Sequence, residues 1–338
     1  MKKLHDLAAG YWTCFSFALL IFISGCAPDG RPVEVSNVAP AVSLALAKPV
    51  GRLMGVNHLS TITGYFSQPV GVAVDVEGNL YVADSGKSVI HVLDRESRLL
   101  ESIGRFGWRS GEFDRPTGIA VDSQLRLYIA DSGNNRVQKV SLIDRNFSTI
   151  FGEERDETGT SESLYEPQGV AVDSRGYVYI ADTWNHRILN LDPLGRPQME
   201  IGGLGWSGQQ FRNPQGVMVD FKGNIYISDT GNHRVHKLDF SGIQLAIWGE
   251  EGSGEGQFQH PAGQSIDRFG NIYVADTGNR RIQIFDSEGL YLTEFGREVL
   301  KDPVDVAVDN SLRVYVTDAA AGDIEVFKVI YEMAEDIR

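Results

Sequence analysis

Few residues in this 338-residue chain have the type and spacing to do chemistry. His186, His233, His260, Asp302 and Asp305 are nitrogen and oxygen donors of the kind that hold a divalent cation. Such a cation would polarise a carbonyl or orient a substrate. Their spacing demands no metal and no other cofactor, and a divalent metal at this set stands as the alternative. Only Cys14 and Cys26 carry thiols, both near the N-terminus. Residues 27–338 therefore hold no disulfide, no Cys-ligated zinc, no attached haem and no thiol nucleophile. No Ser/His/Asp constellation and no phosphate loop stand out.

A second set suits recognition. Gln68, Arg115, Glu166, Asn213, His260 and Asp302 each stand directly before a proline; all are polar and all differ. Varied polar groups around a channel mouth let one scaffold take a particular ligand. Trp184 lies beside His186, and an exposed tryptophan there would add contact surface. His186 and His233 share one repeat position. Gln264, Ser265 and Asp305 replace small or apolar residues found in the other copies, which predicts polar groups near the channel. The connection from Glu153 to Glu166 carries Glu153, Glu154, Asp156, Glu157, Glu162 and Glu166 against Arg155, an acidic rim suited to a basic partner.

The elements that position these groups come from a repeat. Pro69, Pro116, Pro167, Pro214, Pro261 and Pro303 open six copies of one pattern, spaced roughly 45 residues apart. Tyrosine recurs at 81, 128, 179, 226, 273 and 315. Aspartate recurs at 84, 131, 182, 229, 276 and 318. Each copy reads as four short strands separated by Asp-Gly and Gly-Asn turns. The first strand is apolar throughout and predicts burial on both faces. The third alternates and predicts one solvent face. Four strands per copy describe a propeller blade, and no stretch of the body has helical periodicity. The glycine that ends the fourth strand occurs at 64, 104, 152, 202, 249 and 296. Gly64 precedes the first copy and nothing equivalent follows Lys328. Leu59–Gly64 should therefore complete the sixth blade and close the ring. The predicted fold is all-β, a six-bladed β-propeller closed by an N-terminal strand.

Running from Pro-x-Gly-Val-Ala-Val-Asp to Tyr-Val-Ala-Asp-Thr-Gly-Asn-x-Arg, the copies over residues 59–328 resemble NHL repeats. That resemblance implies an interaction scaffold, since NHL propellers mainly bind other molecules. It also implies that the histidine before the repeated arginine is not catalytic. Six-bladed relatives include peptidyl-hydroxyglycine lyases, streptogramin lyases and lactonases with a metal in the channel, so the family points to a fold and not to a reaction. The recurring tyrosines, aspartates and arginines (Arg136, Arg187, Arg234, Arg281) read as structural. Blades one and six depart, with Val89 and Asp323 in place of that arginine.

The N-terminus gives an address. Lys2 and Lys3 precede an uncharged stretch from Leu7 to Gly25 with an apolar core at Phe15–Ile23. Ile23-Ser24-Gly25-Cys26 resembles the bacterial lipobox, where cleavage exposes a cysteine for acylation. The expected organisation is a signal peptide at 1–25, a lipid on Cys26, a proline-containing tether at 26–58, the propeller at 59–330 and a tail at 331–338. An uncleaved transmembrane anchor is the alternative. Both place the body outside the cytoplasm, at the cell envelope. Ala27 after the cysteine implies the outer membrane where there are two. With 31 basic and 45 acidic residues, a net charge of -14, the surface repels nucleic acid. The expected function is non-catalytic binding of an envelope protein, peptide or glycan through the loop face. The alternative is a metal-dependent lyase or lactonase at the channel mouth.

Overall fold

A computed structural model describes residues 51–152 and 163–333. Its first strand, β1 (Gly51–Ile62), belongs to the last sheet. Blade one is β2 (Pro69–Val74), β3 (Leu80–Asp84), β4 (Val89–Leu93) and β5 (Leu99–Ile103). Blade two is β6 (Pro116–Val121), β7 (Arg126–Asp131), β8 (Arg136–Ser141) and β9 (Phe147–Phe151). Blade three is β10 (Val170–Val172), β11 (Val178–Asp182), β12 (Arg187–Leu191) and β13 (Pro197–Gly202). Blade four is β14 (Gly216–Val219), β15 (Ile225–Asp229), β16 (Arg234–Leu238) and β17 (Gln244–Trp248). Blade five is β18 (Pro261–Ile266), β19 (Ile272–Asp276), β20 (Arg281–Phe285) and β21 (Tyr291–Phe295). Blade six is β22 (Pro303–Val308), β23 (Arg313–Asp318), β24 (Asp323–Met333) and then β1 as its outermost strand.

Packing between blades supplies the core. One apolar cluster joins Tyr81, Ala83 and Ile90 of blade one to Ile119, Leu127 and Ile129 of blade two, and equivalent clusters follow around the ring. Each repeated tyrosine buries its ring in such a cluster. Most satisfy the hydroxyl on the aspartate that opens the blade's first turn: Tyr81 to Asp75 at 2.9 Å, Tyr273 to Asp267 at 3.0 Å. The inner strands approach so closely that glycine is required. A Cβ on Gly118 would lie 2.2 Å from the Gln168 carbonyl oxygen of the next blade.

The first strands line the channel with buried and partly buried residues and no exposed one, so the expected burial holds in the main, as at Val170, Ala171, Val217 and Met218. One expectation about exposure is corrected. The third strands are buried on both faces despite their alternation. Their polar side chains stay inside because each finds a partner. Gln138 Nε2 donates to the Glu112 carbonyl at 2.8 Å and Gln283 Nε2 to the Gln257 carbonyl at 2.7 Å. Lys237 Nζ reaches the Ser287 carbonyl at 2.5 Å.

Ring closure is as predicted in kind and larger in extent. β1 pairs antiparallel with β24 from Gly51↔Met333 to Ile62↔Ile324. The strand thus begins at Gly51, and Gly51–His58, assigned above to the tether, are part of the sheet. Bulges between Leu53 and Gly55 and between His58 and Ser60 break the two-residue alternation, which is why the sequence hides this strand. Tyr331, placed in the tail by its position, is likewise strand. Its ring packs on Phe269 at 4.4 Å and its hydroxyl donates to Asp267 at 2.6 Å. The signal segment, Cys26 and residues 153–162 lie outside the described residues. Deleting Gly51–His58 should leave a closed ring, because Ser60–Ile62 keep their pairing. It should cost about 2–5 kcal/mol, at roughly 1 kcal/mol per lost hydrogen bond, measured by urea unfolding.

Candidate functional site

The aspartate that ends each second strand builds the loop face. Asp84, Asp131, Asp182, Asp229, Asp276 and Asp318 are fully buried. Each accepts a backbone N–H from the segment arriving from the previous blade. The donors are Ser67 at 2.8 Å, Asp114 at 2.8 Å, Tyr165 at 2.7 Å, Arg212 at 2.7 Å, Gln259 at 2.7 Å and Lys301 at 2.6 Å. Four of them also take an arginine Nε: Arg136, Arg187 and Arg234 at 2.8 Å and Arg281 at 2.6 Å. The guanidinium then binds the connecting loop, as when Arg136 Nη2 donates to the Arg109 and Glu112 carbonyls at 2.8 and 2.9 Å. The second-to-third turns and the inter-blade connections therefore share one face. In blade one Val89 stands at the arginine position, and His91, the counterpart of His236 in blade four, lies 3.3 Å from Asp84. Blade six has Asp323 opposite Asp318. Burial, and then Glu325 and Asp318, raise the Asp323 carboxyl above the usual range.

The polar residues before the prolines are held by the same device. Arg115, Glu166, Asn213 and His260 have φ of 49°, 44°, 48° and 57°, the left-handed region that non-glycine residues enter at a cost. The backbone N–H groups of Asn213 and His260 donate to Nδ1 of His186 and His233 at 3.1 and 3.2 Å, and that of Glu166 to Asn135 Oδ1 at 2.8 Å. The Gln68 and Asp302 N–H groups instead reach Asp84 and Asp318. His186 and His233 are thus acceptors for a chain turn. Burial lowers the pKa of both, aided at His186 by Arg212 and at His233 by His260.

The five expected metal donors are not brought together. His233 and His260 are neighbours, ring centroids 4.8 Å apart. His186 serves the adjacent connection. Asp302 takes part in the backbone bonds of blade six, where burial and Asp318 raise its pKa. Asp305 lies in the channel. Among the described residues no three His, Cys, Asp or Glu side chains converge on a point a metal could occupy. Among the described residues these five side chains do not form a divalent-metal site. Of the remaining candidates, Arg115 pairs with Glu166 at 3.2 Å on the surface. Trp184 is half exposed, 6.2 Å from the Tyr165 ring.

The channel is a cavity of about 280 Å³ walled by the six inner strands. Asp305 is the one ionisable side chain in its lining, beside Thr117, Gln168, Gln215, Gln264 and Ser265. It replaces the inner glycine of blade six. Its Oδ2 accepts the Val72 N–H of blade one at 3.0 Å and its Oδ1 the Val306 N–H at 2.9 Å. Gly263 provides the room: a Cβ there would lie 2.0 Å from Asp305 Oδ1. Burial pushes the carboxyl up to about 7 against the two hydrogen bonds that favour its ionised form. Gln264 Nε2 donates to Ser228 Oγ at 2.7 Å, while its Oε1 is buried without a partner.

Sequence reasoning missed the most exposed aromatic groups of this face. Trp108 is 72 % exposed and Trp206 79 %, each on a glycine-rich connection, with Phe106 and Leu204 exposed beside them. Their signal was legible: tryptophan in a glycine-rich segment, at 104–111 and at 202–208. Blade periodicity drew attention to the strands instead.

Two outcomes follow. Arg281→Met leaves Asp276 buried without its cation and should cost about 3–5 kcal/mol in denaturant unfolding, with Arg281→Lys losing less. Asp305 has a folded pKa of about 7 against about 4 when unfolded, so the folded state binds its proton more tightly. Its contribution to stability is complete below about pH 4 and is lost as pH rises to about 7. Asp305→Asn should remove that dependence, so its melting temperature should gain on the parent between pH 5 and pH 8.

The sequence matches the NHL repeat at residues 66–93, 113–140, 164–189 and 211–238. No curated protein matches the chain in sequence. Solved structures share its fold at low identity. A streptogramin B lyase is 12 % identical with a TM-score of 0.59, covering 81 % of this chain and 98 % of its own. A virginiamycin B lyase from Staphylococcus aureus is 10 % identical with a TM-score of 0.57, covering 82 % and 99 %. A gluconolactonase from Xanthomonas campestris is 17 % identical with a TM-score of 0.61, covering 85 % and 93 %. The chain thus carries four matched NHL repeats and folds as a six-bladed β-propeller.

Proposed function

We propose that this protein is a lipid-anchored binding scaffold of the bacterial cell envelope, engaging its ligand through the loop face. The observation that carries the reading is that face itself. Residues that vary from blade to blade stand on a network of buried Asp and Arg side chains that is nearly constant. Constant support beneath variable side chains presents a specific surface at little entropic cost on binding. Two of the histidines that could have served chemistry, His186 and His233, accept backbone N–H groups. The export and lipidation part rests on the lipobox at Ile23–Cys26. No helix among the described residues is long and apolar enough to cross a membrane.

A second reading, an enzyme of the lyase or lactonase kind, rests on Asp305, whose pKa near neutrality suits proton transfer. Its carboxylate oxygens both accept backbone N–H groups, which favours the role of closing the ring between blades six and one.

The test uses the chain from Ala27 onward, compared with an Arg115→Ala/Trp184→Ala/His260→Ala variant, in capture from envelope extracts. A ligand held by the parent and lost by the variant supports the loop face. A ligand held by both moves the contact elsewhere. Turnover of a lactone or lyase substrate that Asp305→Asn abolishes establishes the second reading. In cells, Cys26→Ser should abolish incorporation of labelled fatty acid and release the protein from the membrane fraction.

A further inference from the structure

Strand pairing in blade one lines up a serine, a histidine and an aspartate that the sequence does not single out. Asp84 ends β3, and His91 on β4 stands directly opposite Ser102 on β5. His91 Nε2 lies 3.3 Å from Asp84 Oδ2, and its Nδ1 lies 2.8 Å from Ser102 Oγ. The aspartate and the histidine are buried, while the serine at the end of the row is exposed. Hydroxyl, imidazole and carboxylate in that order are the parts of an activated nucleophile.

The proton positions follow from the surroundings. Asp84 accepts the N–H groups of Ser67, Gln68, Gly86 and Lys87 at 2.8 to 3.1 Å. Against the upward pull of burial, the bond to His91 and those from Gln68, Ser67 and Lys87 lower its pKa to about 2. An ionised carboxylate only accepts, so His91 Nε2 carries a proton and, in the neutral ring, Nδ1 is a bare lone pair. The Ser102 hydroxyl donates to it. The two ring nitrogens exchange the places they hold in the usual triad, and either serves as base once the other is protonated.

The fold does not require this row. The place of His91 is held by Gln138 in blade two and by Gln283 in blade five, each donating to its own aspartate at 3.1 Å. Blade four has His236, 3.2 Å from Asp229, but the residue opposite it is Ile247. There Nδ1 is buried without a partner, and the Phe211 ring meets the imidazole edge-on at 5.0 Å. A histidine is thus tolerated at this place with no serine to bond. The connection into the blade differs as well. Into blade two it runs over 105–115, and the Gly111 N–H closes on Gln138 Oε1 at 3.0 Å. Into blade one it is only 65–68, and Ser102 stays exposed. Phe66 of that short connection is half-buried and meets the His91 ring edge-on at 5.4 Å. β5 is the edge strand of its sheet, so alternate N–H groups along it face outward, where they can stabilise a developing oxyanion.

We propose that Ser102 is a nucleophile that cleaves short neutral esters, with His91 as its general base and Asp84 holding the imidazole. This activity goes beyond the loop-face reading and does not involve Asp305. Ser102 Oγ attacks the ester carbonyl carbon as its proton passes to His91 Nδ1. The carbon–alkoxy bond then breaks, and the departing alcohol takes that proton. Water, deprotonated by the same nitrogen, cleaves the acyl-serine to the free acid, and the proton returns to Ser102 Oγ. An exposed serine beside one half-buried aromatic ring suits a short, uncharged acyl group.

The test treats the full chain with a fluorophosphonate and, separately, with p-nitrophenyl acetate, and locates adducts by peptide mass spectrometry. The expected result is one phosphonyl adduct, on Ser102, together with turnover of the acetate ester, both lost in Ser102→Ala. His91→Gln should slow both by roughly a hundredfold. Its urea midpoint should not change, because glutamine already fills that place in blades two and five. Ser148→Ala is the control, an exposed strand serine with Lys139 opposite, and should change nothing. For the part played by Asp84, nitrogen NMR of the His91 ring should place its proton on Nε2. The proposal is overturned if Ser102 takes no adduct, if no ester is turned over, or if exposed serines react alike. It is equally overturned if folded His91→Gln reacts as fast as the parent, or if the neutral His91 ring carries its proton on Nδ1.

Discussion

Everything on the loop face depends on one buried carboxylate per blade. An aspartate with no solvent contact is costly unless each lone pair is used. In blades two to five it is used by an incoming backbone N–H, by an asparagine amide three residues on and by an arginine Nε, as at Asp276 with Gln259, Asn279 and Arg281. The need to satisfy that charge fixes where the next connection passes. It also fixes where the residue before each proline stands. Blades one and six lack both the arginine and that asparagine, with Lys87 and Ala321 in the latter's place, and form no 3-10 turn after their second strand.

Closure of the ring is the second constraint, and it is met at two radii. Outside, β1 supplies the strand that β24 would otherwise lack, and a long ladder joins the two ends of the described chain. Inside, five blades meet through glycines pressed against the next blade's backbone, as at Gly118. The sixth uses Asp305, whose carboxylate reaches the Val72 N–H across the junction. The channel's single ionisable group is thus first a seam between the last blade and the first. Its raised pKa is the consequence of being placed there.

Function separates from fold in the connections. Where two loops of the same backbone differ, as Trp206 and Ser253 do in connections bridged alike at Leu204↔Phe211 and Glu251↔Phe258, the difference is free of folding demands. Where a residue type repeats, as the histidines at 186 and 233, the structure gives it a turn to hold. The histidines attracted attention by chemistry and proved to be chain supports. The tryptophans at 108 and 206 attracted none and are the most prominent side chains of the face.

The sequence by itself determined the blade count, the strand order and the strand that closes the ring, because a repeat of roughly 45 residues states its own register and a displaced Gly64 states the permutation. It also marked Asp305 as the odd residue of the inner strands. Only the tertiary structure decided what was buried. The alternation of Arg234–Leu238 reads as a half-exposed strand, yet Lys237 and His236 lie inside, because partners from Asp229 and the neighbouring blade reach them. The bulges that extend β1 back to Gly51 are invisible to a period of two, since they arise from pairing with β24. Whether His186, His233, His260, Asp302 and Asp305 form one site was likewise a question of distance around a ring. Residues alike in type along the chain stand on different blades and at different depths, and sequence spacing carries no measure of either.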